Sequence, residues 1–179
     1  IGNDKAVYIY TYLLNYTHQL LTTIPADTLV FHEGTINKTE YPGNNYYFFP
    51  QEGNNLGDKM YNAFSKAFEE NYDQVLIIGT DCLELKNSHI EEALSSLDKN
   101  DLVLGPAKDG GYYLIGLNKN DPRLFENIQW STESVFAETM NIAKMLQLKV
   151  HLLERLNDID EYSDLSEQLK KLISIKDPN

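Results

Sequence analysis

Apolar residues recur along this chain with two spacings, one typical of helices and one typical of strands. Ala6, Ile9 and Leu13 follow helical spacing, and Pro25 lies just beyond the end of their segment. "QVLIIG" at 74–79 is a continuous apolar run, which indicates a strand buried on both faces of a parallel sheet. The full pattern predicts helices over 4–22, 57–70, 88–98, 132–147 and 160–173, and strands over 28–32, 45–50, 74–79, 101–105, 112–117 and 149–154.

The order of these segments predicts a single α/β domain that covers residues 1–179. Strands and helices alternate with short joints, and no repeat, linker or low-complexity stretch divides the chain. We therefore expect a Rossmann-like, mixed but mostly parallel sheet flanked by helices. The Asp-Gly-Gly at 109–111, between two predicted strands, indicates one local antiparallel excursion.

The composition of the chain disfavours several classes of binding partner. The formal net charge is −12, with Lys and Arg scattered, which disfavours a nucleic-acid surface and an anionic membrane as partners. The single cysteine, Cys82, allows no intrachain disulfide, so we expect a cytoplasmic protein in which this thiol is simply packed. No apolar run approaches the roughly 18 residues of a membrane span. A small anionic ligand stays compatible, because backbone amides or a divalent cation can bind phosphate locally.

Asp81 is the first candidate for chemistry. It directly follows the strand predicted at 74–79, and ligands of open parallel sheets bind beyond the carboxyl ends of the strands. A carboxylate there can hold Mg²⁺ or Mn²⁺, which prefer oxygen ligands. The structural alternative is a turn residue before the next helix, and from this segment alone the two interpretations are equally supported.

Three further segments carry weaker signals, and each has a structural alternative that is favoured when it is taken alone. In "GPAKDGGYYLIGL" (105–117), Asp109 precedes two glycines that allow close approach to a ligand, or a hairpin turn. "QEGNNLGDKMYNAF" (51–64) is a glycine-containing loop into a helix, which either offers amides to an anion or simply enters the helix. "WSTESVF" (130–136) supplies a pocket wall and a hydroxyl, or a core Trp with a cap from Ser131 or Thr132.

In this order, "GNNLGDKMYNAF", "IIGTDCLEL", "DLVLGPAKDGGYYLIGL" and "WSTESVF" resemble a bacterial family of small glycosyltransferase-like proteins, the selenodomain-associated transferase type. That family has the GT-A-type nucleotide-diphospho-sugar transferase fold and is related to sugar-nucleotide and phospholactate nucleotidyltransferases. The resemblance covers about residues 2–155, and "GPAKDGGYYLIGL" is its most specific part.

The resemblance implies a role for each matching position. Asp81 would be the metal-binding acid, and Asp109 a second acid near the metal or the acceptor, where it would serve as the catalytic base. The donor site would include the following residues: Gly53, Gly57, Lys59, Gly110, Gly111, Trp130 and Thr132. The expected cofactors are Mg²⁺ or Mn²⁺ and a nucleotide-sugar donor.

The sequence departs from the family pattern at several places. Asn55 and Lys59 stand where the family usually has Asp and Arg, and Leu83 stands where it has Pro. Lys59 keeps the charge but loses the bidentate fork of Arg. The family's first strand and its Lys-Thr-Arg-Leu loop would precede Ile1, so we expect a domain that lacks its first strand. Such a domain should bind nucleotide poorly by itself. The strand edge that it leaves exposed could promote homodimerisation.

Three hypotheses follow. The leading one is a metal-dependent transferase that uses a nucleotide-sugar donor and an acceptor of unknown identity. The second is a nucleotidyltransferase, which would attack the α-phosphate of a nucleoside triphosphate and release pyrophosphate. The third is a non-catalytic relative, for which Asn55 and Leu83 are the sequence support. The fold alone does not decide between these three hypotheses.

Overall fold

The computed structural model describes residues 3–38, 41, 45–159, 164, 165, 167, 170 and 171. The described helices are α1 (Asn3–Leu21), α2 (Leu56–Glu69), α3 (Asn87–Leu97) and α4 (Val135–Met145), with a short 3-10 helix at Pro122–Leu124. The described strands are β1 (Thr28–His32), β2 (Tyr46–Pro50), β3 (Val75–Ile78), β4 (Leu102–Pro106), β5 (Tyr112–Leu117) and β6 (Val150–Leu152).

The strands form two sheets rather than one. β1 pairs with β2 in parallel, in a two-stranded sheet. The other four strands lie in the order β3-β5-β4-β6, where β5 runs antiparallel to both β3 and β4, and β4 runs parallel to β6. The antiparallel excursion predicted from Asp-Gly-Gly is confirmed, since β4 and β5 are the two arms of that hairpin.

Two contacts show that β1 and β3 point the same way. Just before the two strands, the Tyr72 hydroxyl donates a hydrogen bond of 2.7 Å to Asp27 Oδ2. Just beyond β1, Glu33 pairs with Lys59 in the first turns of α2, at an Nζ–Oε1 distance of 2.6 Å. Because α2 leads back along the sheet into β3, its start lies at the carboxyl end of β3. All strands except β5 therefore share one direction, and the mixed, mostly parallel α/β prediction is confirmed.

Alternation along the strands sends side chains into two cores. Leu102 and Leu104 of β4 pack with Met60 and Phe64 of α2 and with Ala143 of α4. The residue between them, Val103, packs on the opposite face against a second set of buried residues: Ile90, Ala93 and Leu97 of α3, and Ile24 beyond α1. The four-stranded sheet is thus covered by helices on both faces.

Several predicted boundaries shift. β3 is only half-buried and is an edge strand next to antiparallel β5, so the prediction of a strand buried on both faces of a parallel sheet is wrong at this point. α3 begins at Asn87, one residue earlier than predicted, and the Lys86 backbone N–H donates a hydrogen bond to His89 Nδ1. α4 begins three residues later than predicted. The helix predicted over 160–173 lies largely outside the described residues.

Among the described residues, no helix has the length and apolarity needed to cross a bilayer.

Candidate functional site

Asp81 lies where the sequence predicted, three residues beyond the last residue of β3. A Cβ at Gly79 would lie 2.6 Å from Asp81 Oδ1, so glycine is needed there for the carboxylate to fold back against the strand end. The Asp81 carbonyl accepts a hydrogen bond of 3.0 Å from the Ile159 N–H. The Asp81 backbone is therefore held at the carboxyl edge of the sheet, where its side chain is half-buried.

Asp109 occupies the turn between β4 and β5. Its Oδ1 accepts a hydrogen bond of 2.8 Å from the Gly111 N–H, and the Ala107 N–H donates to the Gly111 carbonyl at 3.1 Å. The hairpin interpretation is therefore correct for the backbone. The Asp109 side chain remains exposed at the rim, so a chemical role is compatible with its role in the turn.

Gly110 fastens this turn to the start of α4. Its φ is +95°, and its carbonyl accepts a hydrogen bond of 2.8 Å from the Phe136 N–H. A Cβ at this position would overlap the backbone of Glu133, whose Cα would lie only 2.6 Å away. The segments "KDGG" and "WSTESVF", which are separate in sequence, thus pack directly against each other and are joined by a backbone hydrogen bond.

The glycine loop at 53–57 enters α2 as a capped helix start. The Asn55 side chain accepts from the Asp58 N–H at 2.9 Å, and Asp58 Oδ2 accepts from the Asn54 N–H at 3.0 Å. Gly53 has a φ of +139°, and a Cβ there would lie 2.6 Å from the Lys59 backbone nitrogen. The helix-entry interpretation is confirmed, and Asn55 at the family's Asp position serves as the N-cap, a role that Asp and Asn perform about equally well.

Trp130 covers the first turn of α2 and belongs to the α2–α4 core. A Cβ at Gly57 would lie 2.6 Å from Cε2 of the indole, so the small residue makes room for the ring. The Thr132 hydroxyl donates to the Gln129 carbonyl at 2.6 Å and lies 2.8 Å from the Ser134 hydroxyl. The N-cap of α4 is Ser134, so the prediction that Ser131 or Thr132 caps this helix is wrong, because Thr132 instead shapes the turn that precedes it.

These elements surround one cavity of about 1060 Å³ that runs along β1 and β3 and reaches their carboxyl ends. Of the predicted site residues, the cavity is lined by Lys59, Asp81, Asp109, Gly111, Trp130 and Thr132. Gly53, Gly57 and Gly110 are not in its lining and instead allow the close packing of its wall. Residues from four segments that are distant in the sequence thus line one cavity.

The sequence analysis missed Asp158. The run 158–167 has the composition of a solvated helix start, but Asp158 is half-buried and lines the same cavity. It is brought there because Leu156 forms a bridge with Ala107 beyond the parallel pair of β4 and β6. An acid shortly after a predicted parallel strand was the available signal, by the same rule that singled out Asp81.

The oxygen donors of this cavity suit a magnesium or manganese ion that also binds a phosphate ligand. In the described part of the chain, no three His, Cys, Asp or Glu residues are grouped closely enough to enclose a metal by themselves. Mg²⁺ usually takes only one or two carboxylates and completes its shell with water and substrate phosphates. Asp81, Asp109 and Asp158 line the same cavity, and one or two of these carboxylates would fit that pattern, while the metal itself remains a prediction.

Cys82, beside Asp81, is a packed residue as predicted. Its side chain is 3% exposed, and its thiol lies 3.5 Å from the Asn157 carbonyl. Burial raises the pKa of the thiol to about 11, so the protonated form prevails at neutral pH. A nucleophilic role for this cysteine is therefore disfavoured.

Comparison with known proteins agrees with this geometry. Residues 16–132 match the family described as "Uncharacterized protein conserved in bacteria (DUF2064)". A crystal structure of a "putative nucleotide-diphospho-sugar transferase" from Desulfovibrio desulfuricans G20 superimposes with a TM-score of 0.81 and 34% sequence identity, over 89% of this chain and 72% of that one.

Two guanylyltransferases match a shorter segment. The 2-phospho-L-lactate guanylyltransferases of Methanocaldococcus jannaschii and Methanocaldococcus vulcanius are 39% and 34% identical over 61 residues, which is 34% of this chain. The match spans only 27% and 28% of the length of these relatives.

The fold and these similarities place the chain in the class of proteins with the GT-A-like nucleotide-diphospho-sugar transferase fold. Within that class, the chain belongs to the DUF2064 family.

Proposed function

We propose that this protein is a metal-dependent transferase that uses a nucleotide-sugar donor and transfers the sugar to a small acceptor. The observation that carries the proposal is the convergence of Asp81, Asp109 and Trp130 on one cavity at the carboxyl edge of the sheet. The similarity to the crystal structure of a putative nucleotide-diphospho-sugar transferase also supports the proposal.

In this proposal Asp81 and Asp109 hold the Mg²⁺ or Mn²⁺ ion, which would neutralise the charge that develops on the departing diphosphate. The Asp109 carboxylate, at the exposed rim, would also accept the proton of the acceptor hydroxyl. Trp130 provides an apolar wall for the donor, and the Thr132 turn and Gly111 shape the adjoining surface. Lys59 brings one positive charge near the phosphates, in competition with its partner Glu33.

The test uses Trp130 as a built-in probe, because it is the only tryptophan and it lines the cavity. UDP and GDP are titrated into the full-length protein with and without Mn²⁺, and tryptophan fluorescence and calorimetry are recorded. We expect nucleotide binding that needs Mn²⁺ and is lost in Asp81→Asn. Asp73→Asn, an exposed carboxyl at the opposite end of β3, is the matched control and should bind as the wild type does.

Unchanged Mn²⁺-dependent binding in Asp81→Asn would refute the metal role of Asp81. Absence of nucleotide binding in every variant would instead favour the non-catalytic relative, in which Asp81 is only a turn residue.

A nucleotidyl transfer is the second candidate, and the match to the two guanylyltransferases favours it. The two reactions place the metal in similar positions but release different products. With a nucleoside triphosphate and a phosphorylated acceptor, release of pyrophosphate would identify nucleotidyl transfer. With a nucleotide-sugar, release of a nucleoside diphosphate would identify glycosyl transfer.

A further inference from the structure

Two loops that are distant in the sequence meet at the carboxyl edge of the sheet. The β3 loop (79–86) carries Asp81 and the β6 loop (153–159) carries Asp158, so each loop contributes one acid to the cavity. Leu156 fixes the β6 loop to β4, because its N–H donates to the carbonyl of the last residue of that strand at 3.1 Å. The residues that flank Asp158 attach the β6 loop to the β3 loop.

Both chain neighbours of Asp158 are bonded to the loop that carries Asp81. On one side, the Ile159 N–H donates to the Asp81 carbonyl at 3.0 Å. On the other side, the Asn157 N–H donates to Glu84 Oε2 at 2.8 Å. Because the chain is held at positions 157 and 159, the backbone of the residue between them has little freedom to move away from Asp81.

A buried thiol makes a third contact between the two loops. Cys82 Sγ lies 3.5 Å from the Asn157 carbonyl, within range for the weak hydrogen bond that a thiol donates. Burial keeps this thiol protonated at neutral pH, so that it can act as the donor. Asn157 is therefore held through both of its backbone groups, its N–H by Glu84 and its carbonyl by Cys82.

Glu84 differs from the other members of this contact, because it is an exposed carboxylate that accepts from a single distant backbone N–H. A charged acceptor makes a stronger hydrogen bond than a neutral one does. Glu84 is not in the lining of the cavity, so it would not touch a ligand there. Its effect on the site runs through the backbone of Asn157 and Asp158.

We propose that Glu84 is a positioning residue of the candidate site, which holds the Asp158 carboxylate beside Asp81 so that both acids face one divalent cation. This inference rests on the proposed function and adds Asp158 to the acids that act on the cation. Mg²⁺ usually keeps several of its waters, so an acid beside Asp81 stabilises the ion directly or through one of them. Partners that orient the ligands of a metal typically change its affinity by about 10- to 100-fold.

The test measures the Mn²⁺ affinity of the full-length protein and its variants by electron paramagnetic resonance, in the presence and absence of UDP or GDP. Glu84→Ala removes the acceptor of the Asn157 N–H, whereas Glu84→Gln retains an oxygen that can accept the same bond. Asp158→Asn shows what the acid itself contributes. The matched control is Asp101→Ala, because Asp101 Oδ2 also accepts a backbone N–H at 2.8 Å, from Lys149 at the opposite end of β6.

We expect Glu84→Ala to weaken Mn²⁺ binding by at least about tenfold, and Asp158→Asn to weaken it by as much or more. Glu84→Gln should retain most of the affinity. Because this variant lacks the charge of Glu84, its retained affinity separates positioning from the mere loss of a negative charge near the cation. Asp101→Ala should bind Mn²⁺ as the wild type does, since a lost bond of the same kind far from the cavity affects stability alone.

Equal Mn²⁺ affinity of the wild type and Glu84→Ala would overturn the proposal and leave the metal role of Asp81 intact. Unchanged affinity in Asp158→Asn would overturn it as well, and so would equal losses in Glu84→Gln and Glu84→Ala, which would assign the effect to charge. If the wild type binds no Mn²⁺ with or without nucleotide, the proposed function itself is refuted and this inference with it. That failure is distinguishable from the others because it is seen in the wild type.

Discussion

Replacing Gly110 with alanine tests whether the Asp109 turn is locked to α4. The substitution adds a single methyl group, but the position combines two penalties. The φ of +95° lies where residues with a Cβ are rarely found, and the added Cβ would overlap the backbone of Glu133. Backbone does not move aside as a flexible side chain does, so the overlap must shift the turn or the start of α4.

The magnitude follows from adding the two penalties. A residue held in a sparsely populated backbone region costs roughly 1–3 kcal/mol. Forcing an extra methyl group into a packed contact costs about 1–3 kcal/mol. We therefore expect Gly110→Ala to lower the free energy of unfolding by about 2–6 kcal/mol, and to weaken the bond between the Phe136 N–H and the Gly110 carbonyl.

Alanine substitutions at two other glycines distinguish the cost of the backbone conformation from the cost of the steric overlap. Gly34 has a φ of +68° but no atom within 4 Å of an added Cβ, so Gly34→Ala bears the backbone penalty alone. At Gly111 an added Cβ would meet Asp109 Oδ1 at 3.3 Å, a contact that a side chain can relieve, and its φ lies outside the positive range. We expect about 1 kcal/mol of destabilisation at Gly34 and less at Gly111, where reduced freedom of the unfolded chain can even stabilise.

Urea denaturation of the three variants, followed by circular dichroism, gives the comparison. Equal midpoints for Gly110→Ala and Gly111→Ala, at unchanged slope, would show that the contact with Glu133 yields at little cost. The interlocking of the two segments would then be wrong. Equal losses at Gly110 and Gly34 would show that backbone strain alone accounts for the effect.

Three further outcomes follow from the structure. Asn55→Ala removes the N-cap of α2 and should cost about 1 kcal/mol in urea denaturation, whereas Asn54→Ala, whose backbone alone makes the recorded hydrogen bond, should cost less. The bond to Asp27 raises the pKa of Tyr72 to about 12. This stabilisation is present below pH 10 and is lost as the pH rises to about 12, so the free energy of unfolding should fall more steeply over that interval in the wild type than in Tyr72→Phe. Cys82 should resist thiol reagents at neutral pH in the folded protein and react once urea unfolds it, and rapid labelling of the native chain would contradict its burial.

The sequence predicted the order and type of the described elements because the patterns for them are local. Alternating and continuous apolar runs located every described strand, and helical spacing located every described α-helix with small shifts at the ends, whereas the short 3-10 helix at Pro122–Leu124 was not predicted. The Asp-Gly-Gly turn gave the reversal of β5. Such features depend on residues a few positions apart, so they can be read without the tertiary fold.

The site was predicted only in part, for a physical reason. Asp81 and Asp109 were found because each has a local signal, a strand end and a turn. Asp158 was missed because its placement depends on pairing between β4 and β6, which are distant in the sequence. The half-burial of β3 was missed because a continuous apolar run does not show which neighbours the strand has. The cover of Trp130 over Gly57 is likewise a tertiary contact that neither segment reveals alone.

The charges of the cavity bear on how a diphosphate would bind. The chain carries a net charge of −12, and Asp81, Asp109 and Asp158 share the cavity with one lysine, Lys59, whose ammonium is already paired with Glu33. Two unit charges about 4 Å apart interact by about 4 kcal/mol at an effective dielectric constant of about 20, so a bare diphosphate would be repelled by these carboxylates. A divalent cation between carboxylates and phosphates turns that repulsion into attraction. The proposed function therefore requires nucleotide affinity to rise steeply with Mn²⁺, and Lys59→Met to weaken binding far less than Asp81→Asn does. Tight binding without a divalent cation would mean that the donor avoids these acids and that the site lies elsewhere on the chain.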